Sequence, residues 1–192
     1  MTNSKTKKIT VTAVMAAMAT VLMFLEMPLP LFPFFLKLDV SDLPAVICAF
    51  AIGPGWGAAV ELLKNLIHML STQTGFAGEA ANFVVGACFV IPAGLIYRKK
   101  HTKKGALAGL AAGTLCMAAA GIAANFLIIL PIYSQLMPID AIVRKTAEVN
   151  SLITDKTSLV LYGITPFNLI KGVIISAVTL LIYKPVSAIL HR

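Results

Sequence analysis

From Gly105 to Leu130 the chain runs without one charged side chain. That stretch exceeds the roughly 20 apolar residues an α-helix needs to cross a bilayer. Lipid offers no hydrogen bonds to a backbone, so a segment of this kind has little choice but to be a helix. Comparable runs occupy about 9–27, 79–97 and 158–183, and shorter ones about 40–53 and 58–70. The expectation is an all-α integral membrane protein. Its six-transmembrane-helix bundle is a single membrane domain over 1–192, with no room for a separate soluble one. Composition agrees: 58% of residues are hydrophobic and 12% charged, about half the charged fraction of a soluble domain. Mean hydropathy is +0.88.

The net charge of +8 does not signal nucleic acid, because no aromatic-rich basic segment or nucleic-acid motif accompanies it. Lys5, Lys7, Lys8, Arg98, Lys99, Lys100, Lys103, Lys104, Lys184 and Arg192 collect on one side of the predicted topology. Lys37, Arg144, Lys145 and Lys156 lie on the other, interspersed with Asp39, Asp140, Glu148 and Asp155. The positive-inside rule then makes both termini cytoplasmic. The apolar run after Lys8 reads as a retained first helix, since no small-x-small cleavage site precedes Glu26. Cys48, Cys88 and Cys116 are scattered and odd in number, which argues for packing and against disulfides or a metal site.

Between the first two helices, Pro28, Pro30 and Pro33 alternate with Leu31, Phe32, Phe34 and Phe35. Proline blocks helix propagation, so this segment is extended, and its apolar side chains suit a roof over the bundle. Asp39, Ser41 and Asp42 give a helix-start signal, with Pro44 in the first turn. Gly53-Pro54-Gly55-Trp56-Gly57 reads as a tight turn carrying an interfacial Trp. The short third helix bears Glu61, Lys64, Asn65 and His68, with Glu61 and Lys64 spaced as an internal ion pair. Residues 137–156 are mixed in polarity and read as an amphipathic segment outside the bilayer core.

Four polar residues stand inside apolar segments at similar depth: Asn82, Asn125, Asn168 and Lys171. Such groups are costly in lipid and usually face a partner, a cavity or a ligand. Asn168 and Lys171 share a helix face, and Asn125 sits about six residues from the outer end of its predicted helix, roughly 9 Å deep. Amides offer donors and an acceptor, which suits an imide edge or a row of hydroxyls, and the neighbouring Phe, Leu and Ile suit a flat ring. The alternative is structural: amides bonding between helices, and Lys171 pairing with Asp39, Asp42 or Glu79. Small-residue stripes at Ala13/Ala17 and at Gly105/Gly109/Gly113 allow close helix approach. The glycines point to internal packing; the alanines fit a partner subunit equally well.

No GxxxxGK[ST] loop, HExxH or GxSxG occurs, so no enzyme and no metal site are expected. A binding protein without an energy source of its own would borrow it from partners.

The segments LPLFPFFLKLDVSDLPAVICAFAIGPGWGAAVELLKNLIHML, GEAANFVVGA, NFLIILPIY and PFNLIKG resemble, in order and through nearly the whole chain, the riboflavin-specific S components of energy-coupling factor (ECF) transporters. The resemblance implies a six-helix protein of the bacterial plasma membrane that captures a vitamin from outside. It implies association with a transmembrane coupling protein and two ATPase subunits, and toppling in the membrane to deliver substrate. Riboflavin is the implied transported ligand, with FMN left open, and no cofactor is implied. Carried over onto this chain, Asn125, Asn168 and Lys171 are ligand-binding positions, joined by Asn82, Leu38 and Asp39, while Ala13 and Ala17 dock the coupling protein. The rival expectations are an S component for thiamine, biotin or a folate, a small membrane enzyme using Asp39, Asp42, Glu61 and His68, and a purely structural subunit.

Overall fold

A computed structural model describes residues 4–72, 75–136 and 138–191, with side chains over 5–72, 75–135 and 138–183. The side chains of Lys184, His191 and Arg192, and Met137 at the start of the amphipathic segment, lie outside this description. The order of elements is α1 (Ser4–Phe24), β1 (Met27–Pro28), β2 (Lys37–Leu38), α2 (Asp42–Ile52), α3 (Pro54–His68), α4 (Ala77–Lys99), α5 (Lys103–Ala124), α6 (Leu130–Leu136), α7 (Ile139–Ala147), α8 (Lys156–Ser158) and α9 (Thr165–His191). Among the described residues the secondary structure is helical apart from one ribbon of two residues per strand, where Met27 pairs with Leu38 and Pro28 with Lys37. That ribbon closes the Pro/Phe loop at its base.

Among the described residues, four helical stretches are long and apolar enough to cross a membrane: Lys5–Phe24, Ala77–Lys99, Lys103–Gln135 and Lys156–Tyr183. The expected count was six. The difference lies in α2 and α3, whose 11 and 15 residues reach about 16 and 22 Å at 1.5 Å per residue, short of the roughly 30 Å hydrocarbon core. α2 is shielded rather than spanning on its own account. It contacts α1, α3, α4 and α9, and every residue from Pro44 to Ala51 is buried. A helix apolar all round belongs in such a place.

Two boundaries differ from the sequence reading for a backbone reason. α3 starts at Pro54 and not near residue 58: Gly53, at φ 123°, breaks α2, and proline is pre-set for the first helical position. The fifth helix does not stop before Pro131. A π-helical turn, Asn125–Ile129, joins α5 to α6, and the Leu130 N–H bonds the Asn125 carbonyl. Proline lacks the N–H that an α-turn would require, and the wider turn passes the chain through it. The last helix repeats this device: α8 leads into a π-turn, Leu159–Ile164, the Thr165 N–H bonds the Val160 carbonyl, and Pro166 follows. The helix-start signal at Asp39, Ser41 and Asp42 is also used differently. Ser41 makes no side-chain cap; Asp39 Oδ1 accepts from its backbone N–H at 2.8 Å, and its hydroxyl accepts from Lys64 at 2.7 Å.

α4 and α5 make the most extensive contact, and glycine sets it. A Cβ at Gly109 would stand 2.6 Å from the Ala93 carbonyl oxygen, and one at Gly113 2.6 Å from that of Phe89. These two glycines therefore serve internal packing. On α1, Thr12, Ala16, Ala19 and Thr20 turn inward, whereas Ala13 and Ala17 are exposed. α7 lies against the bundle by Ile142, Val143 and Thr146, with Arg144 and Lys145 outward.

Candidate functional site

A cavity of about 630 Å³ opens at the ribbon end of the bundle, within the 300–1,000 Å³ range of small-molecule sites. Its wall draws on α1, the Pro/Phe loop, α2, α3, α4, the α5–α6 rod, α7 and α9. Five of the six anticipated ligand residues line it: Asn82, Asn125, Asn168, Lys171 and Asp39. Leu38 does not. It is held in the ribbon opposite Met27, and its neighbours Leu36, Lys37 and Asp39 form the wall instead.

Asn125, Asn168 and Lys171 are 5%, 6% and 4% exposed. The Asn125 amide N–H donates to the Gly121 carbonyl at 2.8 Å, and that of Asn168 to the Ile164 carbonyl at 3.0 Å. Each amide is thus fixed to its own helix one turn back. The Oδ1 atoms of Asn82 and Asn125 are buried without a hydrogen-bond partner in the described structure. A buried acceptor left unpaired costs about 1–3 kcal/mol, so each oxygen is an unmet hydrogen bond on a residue of the cavity wall.

Lys171 is already committed. Its Nζ donates to Asp39 Oδ2 at 2.9 Å and lies 3.2 Å from Asp42 Oδ2. Asp42 in turn pairs with Lys64, which also reaches Glu61 Oε2 at 2.8 Å, as the Glu61/Lys64 spacing suggested. Three carboxylates and two ammonium groups so form one buried array beneath the cavity, with Asp39, Asp42 and Lys171 on the wall and Glu61 and Lys64 behind it. Partial removal of such an array leaves a buried charge uncompensated.

At the rim, Glu79 accepts from Thr72 Oγ1 at 2.9 Å and lies 3.1 Å from His68 Nδ1, whose ring packs at a tilt against Phe24, 5.0 Å between centroids. A second rim pair joins Lys37 to Glu26. The Pro/Phe loop is tied down over the cavity by aromatic contacts: Phe32 to Phe167 at 5.7 Å, Phe35 to Tyr133 at 5.6 Å, and Lys145 over the Phe34 ring at 4.3 Å. Among the described residues, no group of three or more His, Cys, Asp or Glu is arranged to hold a metal.

Sequence reasoning missed Asp42, Tyr133 and Phe167 as wall residues. Asp42 was absorbed by its helix-start signal. Tyr133 follows a proline read as a helix end. Phe167 was available: it stands beside Asn168, and an aromatic flanking a buried amide is a usable sign of a ring site.

Comparison with known proteins adds the following. The family described as ECF transporter, substrate-specific component, matches residues 7–183. The riboflavin transporter RibU of Staphylococcus aureus is 32% identical over 186 residues, covering 97% of this chain and 93% of its own. The riboflavin transporter FmnP of Bacillus subtilis is 35% identical over 182 residues, covering 93% and 91%. Among solved structures, the S component of a bacterial ECF transporter superposes with a TM-score of 0.80 at 33% identity, over 98% of this chain and 100% of that one. ThiT of Listeria monocytogenes shares the fold, with a TM-score of 0.60 at 16% identity over 96% and 99%.

Proposed function

Since this chain belongs to the substrate-specific components of ECF transporters, a family of transport subunits and not of enzymes, we propose that it captures riboflavin in the cavity beneath the Pro/Phe loop. One observation carries the reading: Asn82 and Asn125 line a cavity of about 630 Å³ that also has aromatic walls, and the amide oxygen of each lacks a hydrogen-bond partner. Riboflavin supplies an imide N–H and ribityl hydroxyls as donors, and a flat tricyclic ring for Phe35, Tyr133 and Phe167. Asp39 and Asp42 accept from the ribityl hydroxyls, and the Lys171 ammonium donates to a hydroxyl or carbonyl oxygen. Two relatives more than 30% identical, both named riboflavin transporters, support the same ligand.

The finer parts of the reading follow from the family. α2 and α3 join the four long stretches to make six spans. Both termini and the basic cluster at Arg98–Lys104 face the cytoplasm of a bacterium, and the ribbon end faces outward. The exposed Ala13/Ala17 face of α1 docks a transmembrane coupling protein, and two ATPase subunits supply the energy that the chain lacks. The test is the visible absorption spectrum of the purified full chain, before and after riboflavin is added and the excess removed. A retained flavin band near one per chain is expected. A folded, colourless protein that keeps no flavin would overturn the assignment, and a panel of FMN, thiamine, biotin and folate would then find the ligand.

A further inference from the structure

A second concavity, of about 410 Å³, lies at the basic end, away from the ribbon. Its cations are Lys8 on α1 and Arg98 near the end of α4, with the His101 ring just beyond. The half-buried Ile52, Pro54 and Trp56 supply apolar surface between them, and among the described residues no carboxylate lines it. Lys8 stands in the first turn of the span Lys5–Phe24, and Arg98 in the last turn of the span Ala77–Lys99. The groove is therefore at headgroup depth, where Trp and basic side chains gather. The floor is the start of α3. At Gly55 an added Cβ would meet nothing within 4 Å, so the open face of this helix N-terminus, favourable to anions, is part of the concavity.

We propose that this groove binds the phosphate of an anionic phospholipid in the leaflet at the basic end, with the start of an acyl chain along Ile52 and Trp56. A free phosphate would satisfy the cations and leave the apolar wall uncovered; a lipid matches both. A protein partner is less well suited. At about 100° per residue, Lys8 lies about 140° around α1 from Ala13 and about 180° from Ala17. The groove and the exposed alanine face are thus on opposite sides of one helix, and a lipid in the groove stays bound when α1 is engaged.

The experiment is native mass spectrometry of the full chain from detergent micelles carrying phosphatidylglycerol or phosphatidylcholine, with melting temperature read in parallel. The wild type should retain phosphatidylglycerol and melt higher with it, and phosphatidylcholine should do neither. In a K8Q/R98Q variant, phosphatidylglycerol binding should weaken roughly thirtyfold, with the circular dichroism spectrum unchanged. Equal retention by variant and wild type would overturn the proposal. So would millimolar inorganic phosphate that displaces the lipid and matches its stabilisation, since the site would then be one for free phosphate. A variant that keeps the lipid but fails to assemble with the coupling protein would make the groove a protein contact and would equally end the lipid assignment.

Discussion

The two ends of the α4–α5 pair are built on opposite terms. Toward the basic end, Gly109 and Gly113 bring α5 against the carbonyls of Ala93 and Phe89, leaving no room for even a methyl group. Toward the ribbon end, the same helix passes into a π-turn and presents Asn125, with an unpaired amide oxygen, to a cavity. π-turns inside α-helices are frequent at functional sites. One end is optimised for contact and the other withholds contact so that a ligand can supply it. The difference teaches where to expect tolerance: substitutions at the close-packed end should act on stability, and those at the open end on binding.

The largest test concerns the array that underlies the open end. Lys64→Met removes one ammonium from among Asp42, Glu61 and Ser41 and should cost about 3–5 kcal/mol in stability, because buried carboxylates are left unpaired. Thermal unfolding in detergent measures it, and a melting temperature like that of the wild type would show the array to be dispensable. At the close-packed end, Gly113→Leu should cost about 1–3 kcal/mol or more through overpacking, while the folded fraction still binds flavin at wild-type affinity. Impaired affinity in that fraction would erase the contrast between the ends.

Asn82→Ala sharpens it from the other side. The Asn82 oxygen has no partner in the free protein, so its loss should leave stability intact and weaken riboflavin binding by about 1–3 kcal/mol; flavin fluorescence titration reads the change. The smallest effect belongs to Ala13 and Ala17. A bulky residue at either exposed position should change stability by no more than about 0.5 kcal/mol and spare binding, yet block uptake in cells. Normal uptake would remove α1 as the docking face.

Much of the open end was legible in the sequence because membrane chains spend polar residues sparingly. Asn82, Asn125, Asn168 and Lys171 stood out against apolar runs, and all four line the cavity. What stayed hidden was hidden by double use. Asp42 and Ser41 carry the signature of a helix start; the Asp42–Lys171 pairing was among the alternatives the sequence offered, but the role of both on Lys64 depends on how α3 packs against the start of α2. Pro131 reads locally as a terminator, and only the wider turn before it lets the helix continue to Tyr133 at the cavity wall. The sequence pointed to tilting or partial shielding of α2 and α3 from lipid, but not to which four helices enclose α2, since that is a property of the assembled bundle.

The two π-turns give the chain an unusual sensitivity to length. Each holds one residue more than an α-turn would, just upstream of a proline. Deleting Leu127, which is 76% exposed and touches little, would look like a harmless trim at a lipid-facing position. It would instead close the wider turn to an α-turn, setting the Pro131 ring against the carbonyl one turn back and removing the slack by which the helix passes the proline to reach Tyr133 beside Phe35. At these two places the count of residues matters more than their identity, so neutral drift in side chains is compatible with function where a one-residue gap is not.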